Sequence, residues 1–293
     1  MIIMGKILDG KELAQKLNVE LKSEFNQLYK ISKIKPKLAT ILVGEDPASQ
    51  VYINIKRKVC AEVGIESIFI KQPATISKDE LISTIRKLNH DDSIHGILLQ
   101  IPLPDNLKPH TPTFINQISP LKDVDGLHPI NKGRLFDNNE EYAPCTPKGI
   151  ITLLEHYNVN LKGKFTVIIN RSNLVGKPLI FLLLKRNATV AVCHTSTIDI
   201  EKFTKMADIL VVAVGKPNFI TKEKIKEGVI IIDVGVSRVN GKLCGDVNFD
   251  EVFEKCGMIT PNPGGIGPLT VSFLMRNTFI AYQNKIKSNL VNE

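Results

Sequence analysis

Apolar positions recur along this chain in two alternating periods. After Asp9, Leu13, Leu17, Leu21, Phe25 and Leu28 follow a helical spacing and share one face. Asp9, with Glu12 three residues on, reads as the N-terminal signal of that helix. Residues 38–43 form a short, nearly continuous apolar run, as a buried strand does. A helix follows, opened by Asp46-Pro47 and closed by Gly64. A strand over 65–70 comes next, then a helix from the Ser77/Glu80 capping box to about Leu88. The strand over 96–101 ends in Gln100-Ile101-Pro102-Leu103-Pro104, where Gln100 interrupts the apolar run. Residues 108–147 are rich in Pro, Asn and Asp and read as loop and linker. A second alternation places strands at 165–169, 189–193, 208–213 and 229–233, with helices between them. A short strand over 258–260 precedes a last helix from about Leu269.

Alternation of this kind predicts an α/β fold: two α/β domains with a cleft between them, the second a Rossmann-like dinucleotide-binding domain with a parallel sheet. The expected boundaries are 1–147 plus 268–293 for the first domain, the terminal helix crossing back, and 148–267 for the second.

Composition narrows the class. The 293 residues are 43% hydrophobic and 23% charged, as in soluble globular proteins. The net charge of +8 is spread along the chain, and Trp is absent, so clustered basic and aromatic residues do not argue for nucleic acid. The excess of cations has two readings, attraction of a small anionic partner or a solvated surface with no partner meaning. Five cysteines without a Cys-x-x-Cys pair argue against a disulfide framework or a zinc site and for a reducing compartment. The apolar start, Met1 to Met4, is too short for a signal peptide, and the apolar run 179–184 sits between Lys177 and Lys185. The expectation is a cytoplasmic enzyme with no membrane segment and no metal.

Chemistry concentrates in three places. Pro263-Gly264-Gly265-Ile266-Gly267-Pro268 joins a strand to the last helix, and its glycines allow a tight turn and close approach of a ligand. The loop after the strand 165–169, Asn170-Arg171-Ser172-Asn173-Leu174-Val175-Gly176, lies where open α/β sheets bind ligands. Arg171 can pair bidentately with a phosphate, which favours NADP. Loops at 193–197, 213–217 and 233–236 follow the neighbouring strands. On the helix opened by Pro47, Ser49, Tyr52 and Lys56 share one face. Val51, Ile55 and Val59 form an adjacent stripe expected to pack inward. A lysine beside such a stripe loses solvation and exchanges protons closer to neutrality.

Taken in order, these segments resemble the bifunctional methylenetetrahydrofolate dehydrogenase/cyclohydrolase family. The matching residues are Ser49-x-x-Tyr52-x-x-x-Lys56, 100–104, Lys122-Asp123-Val124-Asp125-Gly126, 144–149, Arg171-Ser172-x-x-Val175-Gly176-x-Pro178 and 263–270. The resemblance implies oxidation of 5,10-methylenetetrahydrofolate with NADP, then hydrolysis of the methenyl product to 10-formyltetrahydrofolate. It implies Lys56 as the proton-transfer residue, chiefly for hydrolysis, with Gln100 holding its charge state and Asp125 binding the pterin edge. It implies that Ser49, Tyr52, Leu99, Ile101, Pro102 and the loop Pro263, Gly264, Gly265, Ile266 and Gly267 line the folate, and that Asn170, Arg171, Ser172, Gly176, Thr195 and Val236 surround the cofactor. A homodimer, and folates carrying a glutamate chain, are further implications.

Six positions depart from the family pattern, two of them, Ile266 and Leu269, by conservative swaps. Asn170 stands where Gly is usual, Thr195 for Ser, Ser237 for Asn and Asn262 for Val. Asn tolerates left-handed backbone, so the turn at 170 is expected to survive. Rival readings are a monofunctional dehydrogenase and a non-catalytic binder. A short-chain dehydrogenase is disfavoured because Tyr52 and Lys56 precede the nucleotide loop.

Overall fold

The computed structural model of the protein describes residues 5–239 and 242–291. In chain order its elements begin β1 (Lys6–Ile7), α1 (Gly10–Ser32), β2 (Lys37–Val43), α2 (Pro47–Val63), β3 (Glu66–Gln72), α3 (Lys78–His90) and β4 (Gly96–Leu99). They continue with α4 (Thr111–Gln117), α5 (Pro129–Phe136), α6 (Cys145–His156), β5 (Phe165–Ile169), α7 (Gly176–Leu184), β6 (Thr189–Cys193), α8 (Ile200–Met206) and β7 (Ile209–Val212). The last are β8 (Ile230–Asp233), β9 (Ser237–Val239), β10 (Lys242–Cys244), α9 (Phe249–Phe253), β11 (Met258–Ile259) and α10 (Ile266–Val291).

Two compact units divide the chain. One comprises Met1–Gln15 and Pro144–Thr270, the other Lys16–Ala143 and Val271–Glu293. This differs from the expected 1–147 plus 268–293 against 148–267 at the chain's start. Lys6 and Ile7 pair in parallel with Met258 and Ile259, which ties the first strand to the later part of the chain. A two-residue strand carries no periodicity, so nothing in the sequence signals it.

The first unit holds a six-stranded sheet in the order β1-β11-β8-β7-β5-β6, parallel at every pair. Strands buried on both faces read as continuous apolar runs, as β7 (Ile-Leu-Val-Val) does here. Strand order reverses at β5, with β6 on one side and β7 on the other. That reversal is the switch point at which open α/β sheets receive ligands. Val167, Ile169, Leu210, Val212 and Ile231 supply one core, closed by Val252 and Cys256.

The second unit has a three-stranded parallel sheet, β3-β2-β4. Ile41, Ile85, Ile97 and Phe114 lie in its core. The later part of α10 packs on α1: Phe25 meets Phe279 edge to face at 4.7 Å. Tyr282 is fully buried, and its hydroxyl donates to the Ile34 carbonyl at 2.9 Å. Arg276 reaches both carboxylate oxygens of Glu24, at 2.6 and 2.8 Å.

The stretch expected to be linker carries helices α4, α5 and the start of α6. Its prolines open helices rather than break them: Pro112 and Pro129 occupy first turns, where the missing N–H is no loss. His128 caps α5, its Nδ1 accepting from Ile130 N at 3.1 Å. Gln100 also moves: it lies one residue beyond β4 rather than inside the strand.

His95 gives the second unit a pH-dependent stability. It is 4% exposed, and its Nδ1 accepts from Lys37 N at 3.1 Å. Burial, reinforced by nearby lysines, pushes its pKa down from 6.5 to about 4. An unfolded chain takes up the imidazole proton below 6.5, whereas the native state refuses it until about 4. The stabilisation is therefore complete above 6.5 and is lost as pH falls toward 4. Urea denaturation at pH 7 and pH 5 should show the stability advantage of wild type over His95→Asn shrinking by about 2 kcal/mol. A pH-independent difference contradicts the assignment.

Candidate active site

In the second unit the reactive side chains come from α2 and the end of β4. Asp46 caps α2, its Oδ2 accepting from Ser49 N at 2.7 Å, and Pro47 fills the first turn. Gly64 ends the helix at φ 95°, a conformation that favours glycine. The inward face runs through Ser49, Ile53, Cys60 and Val63. Lys56 falls on that face itself, between Ile53 and Cys60. The expected stripe of Val51, Ile55 and Val59 is not the inward face: Val51 is 46% and Ile55 45% exposed, and Val59 is only half-buried. Lys56 is thus held among core residues for a different reason from the one the spacing suggested.

Lys56 Nζ donates to Gln100 Oε1 at 2.8 Å. Gln100 is buried, and its Nε2 donates to the Ile101 carbonyl at 2.8 Å, while its own N–H reaches the Ile41 carbonyl at 2.9 Å. These contacts fix which end of the amide faces the lysine. A flipped amide would set two donors against an ammonium and leave the carbonyl without a donor. Cys60, one turn after Lys56, is no rival nucleophile. Burial pushes its thiol up to about 12, and its sulfur lies 3.4 Å from that of Met275.

The segment 122–126 runs beside β4. Ile97 bridges Asp123 in parallel, and Gly96 permits the approach, since a Cβ there would lie 2.6 Å from Val124 Cγ1. Its two carboxylates have separate tasks. Asp123 is 1% exposed and accepts from Leu127 N, His128 N and Asn131 Nδ2, at 3.2, 2.7 and 2.9 Å. It shapes the turn. Asp125 is half-buried, in the turn that follows the bridge at Asp123. Tyr52 is likewise half-buried, one turn before Lys56. Ser49, Tyr52, Lys56, Leu99, Gln100, Ile101, Pro102 and Asp125 therefore all belong to the second unit.

The Pro263–Gly267 loop belongs to the first unit. It packs on the start of α1: a Cβ on Gly10 would lie 1.9 Å from the Gly265 carbonyl oxygen, and Lys11 N donates to the Gly264 carbonyl at 2.8 Å. Gly264 has φ 109°. Gly267 is exposed, with open space where its Cβ would be.

In the same unit the cofactor loops lie at the carboxyl edge of the parallel sheet. Arg171 and Thr195 are exposed, Ser172 is half-buried, and Val236 is 46% exposed. Asn170 is not among the residues with positive φ, so the left-handed turn expected there does not occur. Its side chain organises the loop instead. Oδ1 accepts from Ser172 N at 2.8 Å and Gly176 N at 3.0 Å, and Nδ2 donates to the Ala213 carbonyl at 2.6 Å. Gly176 packs against it so closely that a Cβ would sit 2.1 Å from the Asn170 carbonyl oxygen. Ser172 Oγ accepts from Val175 N at 3.1 Å. With these amides occupied, Arg171 is the loop's exposed cation.

Family models match both parts of the chain: the tetrahydrofolate dehydrogenase/cyclohydrolase catalytic domain over residues 8–125, and the NAD(P)-binding domain of the same family over 144–286. The chain belongs to the tetrahydrofolate dehydrogenase/cyclohydrolase family. It is 49% identical to the bifunctional protein FolD of Halalkalibacterium halodurans over 275 residues, 94% of this chain and 98% of that one. The crystal structure of the bifunctional FolD of Campylobacter jejuni superposes with TM-score 0.91 at 47% identity, covering 95% of this chain and 99% of that one. The Trypanosoma brucei enzyme complexed with NADP cofactor and inhibitor superposes with TM-score 0.92 at 34% identity, covering 97% and 99%.

Within this family member, sequence reasoning placed Asp233 in a strand-end loop without a role for its carboxylate and overlooked Asp246; both are buried in the NAD(P)-binding unit. Their signal was an acid at the end of the apolar run 229–233 and another after Gly245. The neutral Gln100 acceptor yields a direct test. Gln100→Glu places a carboxylate on the ammonium of Lys56 and holds its proton more tightly. The pH profile of methenyl hydrolysis should shift alkaline by about 1 unit or more, with slower turnover at neutrality. An unshifted profile would separate Gln100 from the charge state of Lys56.

Proposed function

We propose that Lys56, Gln100 and Asp125 carry the two activities of this bifunctional enzyme: oxidation of 5,10-methylenetetrahydrofolate with NADP, then hydrolysis of the methenyl cation to 10-formyltetrahydrofolate. The observation that carries this reading is the Lys56–Gln100 hydrogen bond, on a helix whose inward face holds the amine.

The NAD(P)-binding unit fits a dinucleotide. Its parallel sheet has a switch point at β5, loops rise from the carboxyl ends of β5 and β7, and Arg171 is exposed beside them. NADP, when bound, accepts the hydride that leaves the one-carbon bridge. Arg171, with the hydroxyls of Ser172 and Thr195, would hold its phosphates, and Val236 would line the same site. The bridge is already an iminium equivalent, so oxidation asks the protein for positioning rather than strong acid or base.

The substrate unit supplies the rest. Asp125 pairs with the amino-pyrimidine edge of the pterin, Tyr52 stacks on its ring, and Ser49 with Leu99, Ile101 and Pro102 completes the wall. In hydrolysis, water adds to the methenyl carbon, the ring C–N bond to that carbon opens, and one proton is released. Lys56 takes the proton from the attacking water, and Gln100 stabilises the protonated amine as a neutral acceptor. A net charge of +8 suits folates with a glutamate tail. No helix among the described residues is long and apolar enough to cross a membrane. The enzyme works in the cytoplasm as a homodimer and feeds formyl transfer to purine synthesis.

Incubation with 5,10-methylenetetrahydrofolate tests the function: the methenyl absorbance band should rise and then decay with NADP, and rise more slowly with NAD. No rise with either cofactor refutes oxidation. Arg171→Ala should raise KM for NADP about tenfold or more with little change for NAD, as loss of a charge-assisted phosphate contact requires. Equal effects on the two cofactors would remove Arg171 from phosphate recognition.

A further inference from the structure

Three loops of the NAD(P)-binding unit are held by side chains that no step above uses. Asp246 is fully buried, and its carboxylate accepts from three consecutive amides after β7: Val214 N at 2.5 Å and Gly215 N at 3.0 Å on Oδ2, and Lys216 N at 2.8 Å on Oδ1. Successive backbone donors of this kind form an anion-binding nest. Here an internal carboxylate fills it. Asp233 holds Asp246 in turn. Its Oδ1 accepts from Asp246 N at 3.1 Å and Gly235 N at 3.0 Å, and its Oδ2 from Val247 N at 3.1 Å. Two glycines make room for the pair. A Cβ on Gly235 would lie 2.0 Å from Asp246 Cγ, and one on Gly245 would lie 1.9 Å from Asp233 Oδ2. Asn262 Nδ2 donates to the Gly235 carbonyl and ties in the strand-end loop after β11.

The chain of contacts reaches the switch point. Ala213 directly precedes the amides that Asp246 holds, and its carbonyl accepts from Asn170 Nδ2 across the gap from β7 to β5. Asn170 then fixes Ser172 N and Gly176 N.

We propose that Asp246 is a positioning residue for the dinucleotide: its carboxylate sets the loop after β7 and, through Ala213 and Asn170, the loop after β5 that carries Arg171 and Ser172. This rests on the nucleotide reading of the unit given above. Asp246 touches no cofactor atom itself; it acts by presenting the phosphate-reading side chains in a fixed place. The backbone N–H groups of Ser172, Gly176, Val214, Gly215 and Lys216 are filled from within, so affinity depends on where those side chains stand.

Asp246→Asn tests this, because the isosteric amide turns an NH2 group toward amides that need an acceptor. NADPH binding to the full chain, followed by nicotinamide fluorescence, should weaken about tenfold or more. Turnover at saturating NADP should stay within about threefold, and methenyl hydrolysis without any nicotinamide within about twofold, since neither reads the phosphate loops. Gly235→Ala, which pushes the same carboxylate off its amides, should weaken NADPH binding in the same direction. Unchanged NADPH affinity in both variants overturns the inference alone. So does parallel loss of NADPH binding and methenyl hydrolysis in Asp246→Asn, which is what a merely structural role produces. A wild-type chain that binds no NADPH overturns the nucleotide reading and this inference with it.

Discussion

One hydrogen bond, from the Lys56 ammonium to the Gln100 carbonyl oxygen, is the constraint on which the proposed chemistry depends. An amine can serve a hydration step only if it is close to the reacting carbon and free to change protonation state. A carboxylate partner would hold the proton, and an unpartnered ammonium on a buried helix face would be costly. A neutral acceptor avoids both. Several unrelated features serve that acceptor. β4 ends one residue early, so that Gln100 bonds by its N–H to the end of β2 and by its Nε2 to the Ile101 carbonyl. Asp46 and Gly64 fix the two ends of α2, and its inward face carries the amine to the strand ends.

The NAD(P)-binding unit solves a different problem with similar means. A parallel sheet leaves its loops to find their own shape at the carboxyl edge. In this chain Asn170, Asp233, Asp246 and Asn262 reach across those loops and satisfy their backbone groups. Asp233 shows the cost of this arrangement: burial pushes its carboxyl up to about 6 even though three backbone N–H groups pull the other way. Buried polar groups that are fully hydrogen-bonded rigidify what they touch. Rigid loops place Arg171 and Ser172 without a glycine-rich cradle.

Much of this could be read in the sequence because the signals were local. Capping residues marked the starts of α1, α2 and α3, and apolar runs marked the central strands of both sheets. Lys56 and Gln100 stood out as polar residues in apolar company, and the structure joins them. What could not be read was set by long-range contact. β1 is defined by its partner 252 residues later, not by its own two residues. The face of α2 was assigned one stripe away from the true one, because Val51 and Ile55 are apolar yet exposed. Pro112 and Pro129 looked like breakers and are helix openers. Asn170 looked like a backbone substitute for glycine and works through its side chain. Asp246 gave only a faint local signal, an acid after Gly245, since the amides its carboxylate holds lie 30–32 residues away.

The most direct test of the central claim follows the methenyl intermediate in Lys56→Met during oxidation of 5,10-methylenetetrahydrofolate with NADP. NADPH and the methenyl band should rise together in equal amounts, and the band should then decay only at the rate of buffer without enzyme. Decay at the wild-type rate, in a variant that still folds and oxidises, would show that the amine is not the group that takes the proton from water.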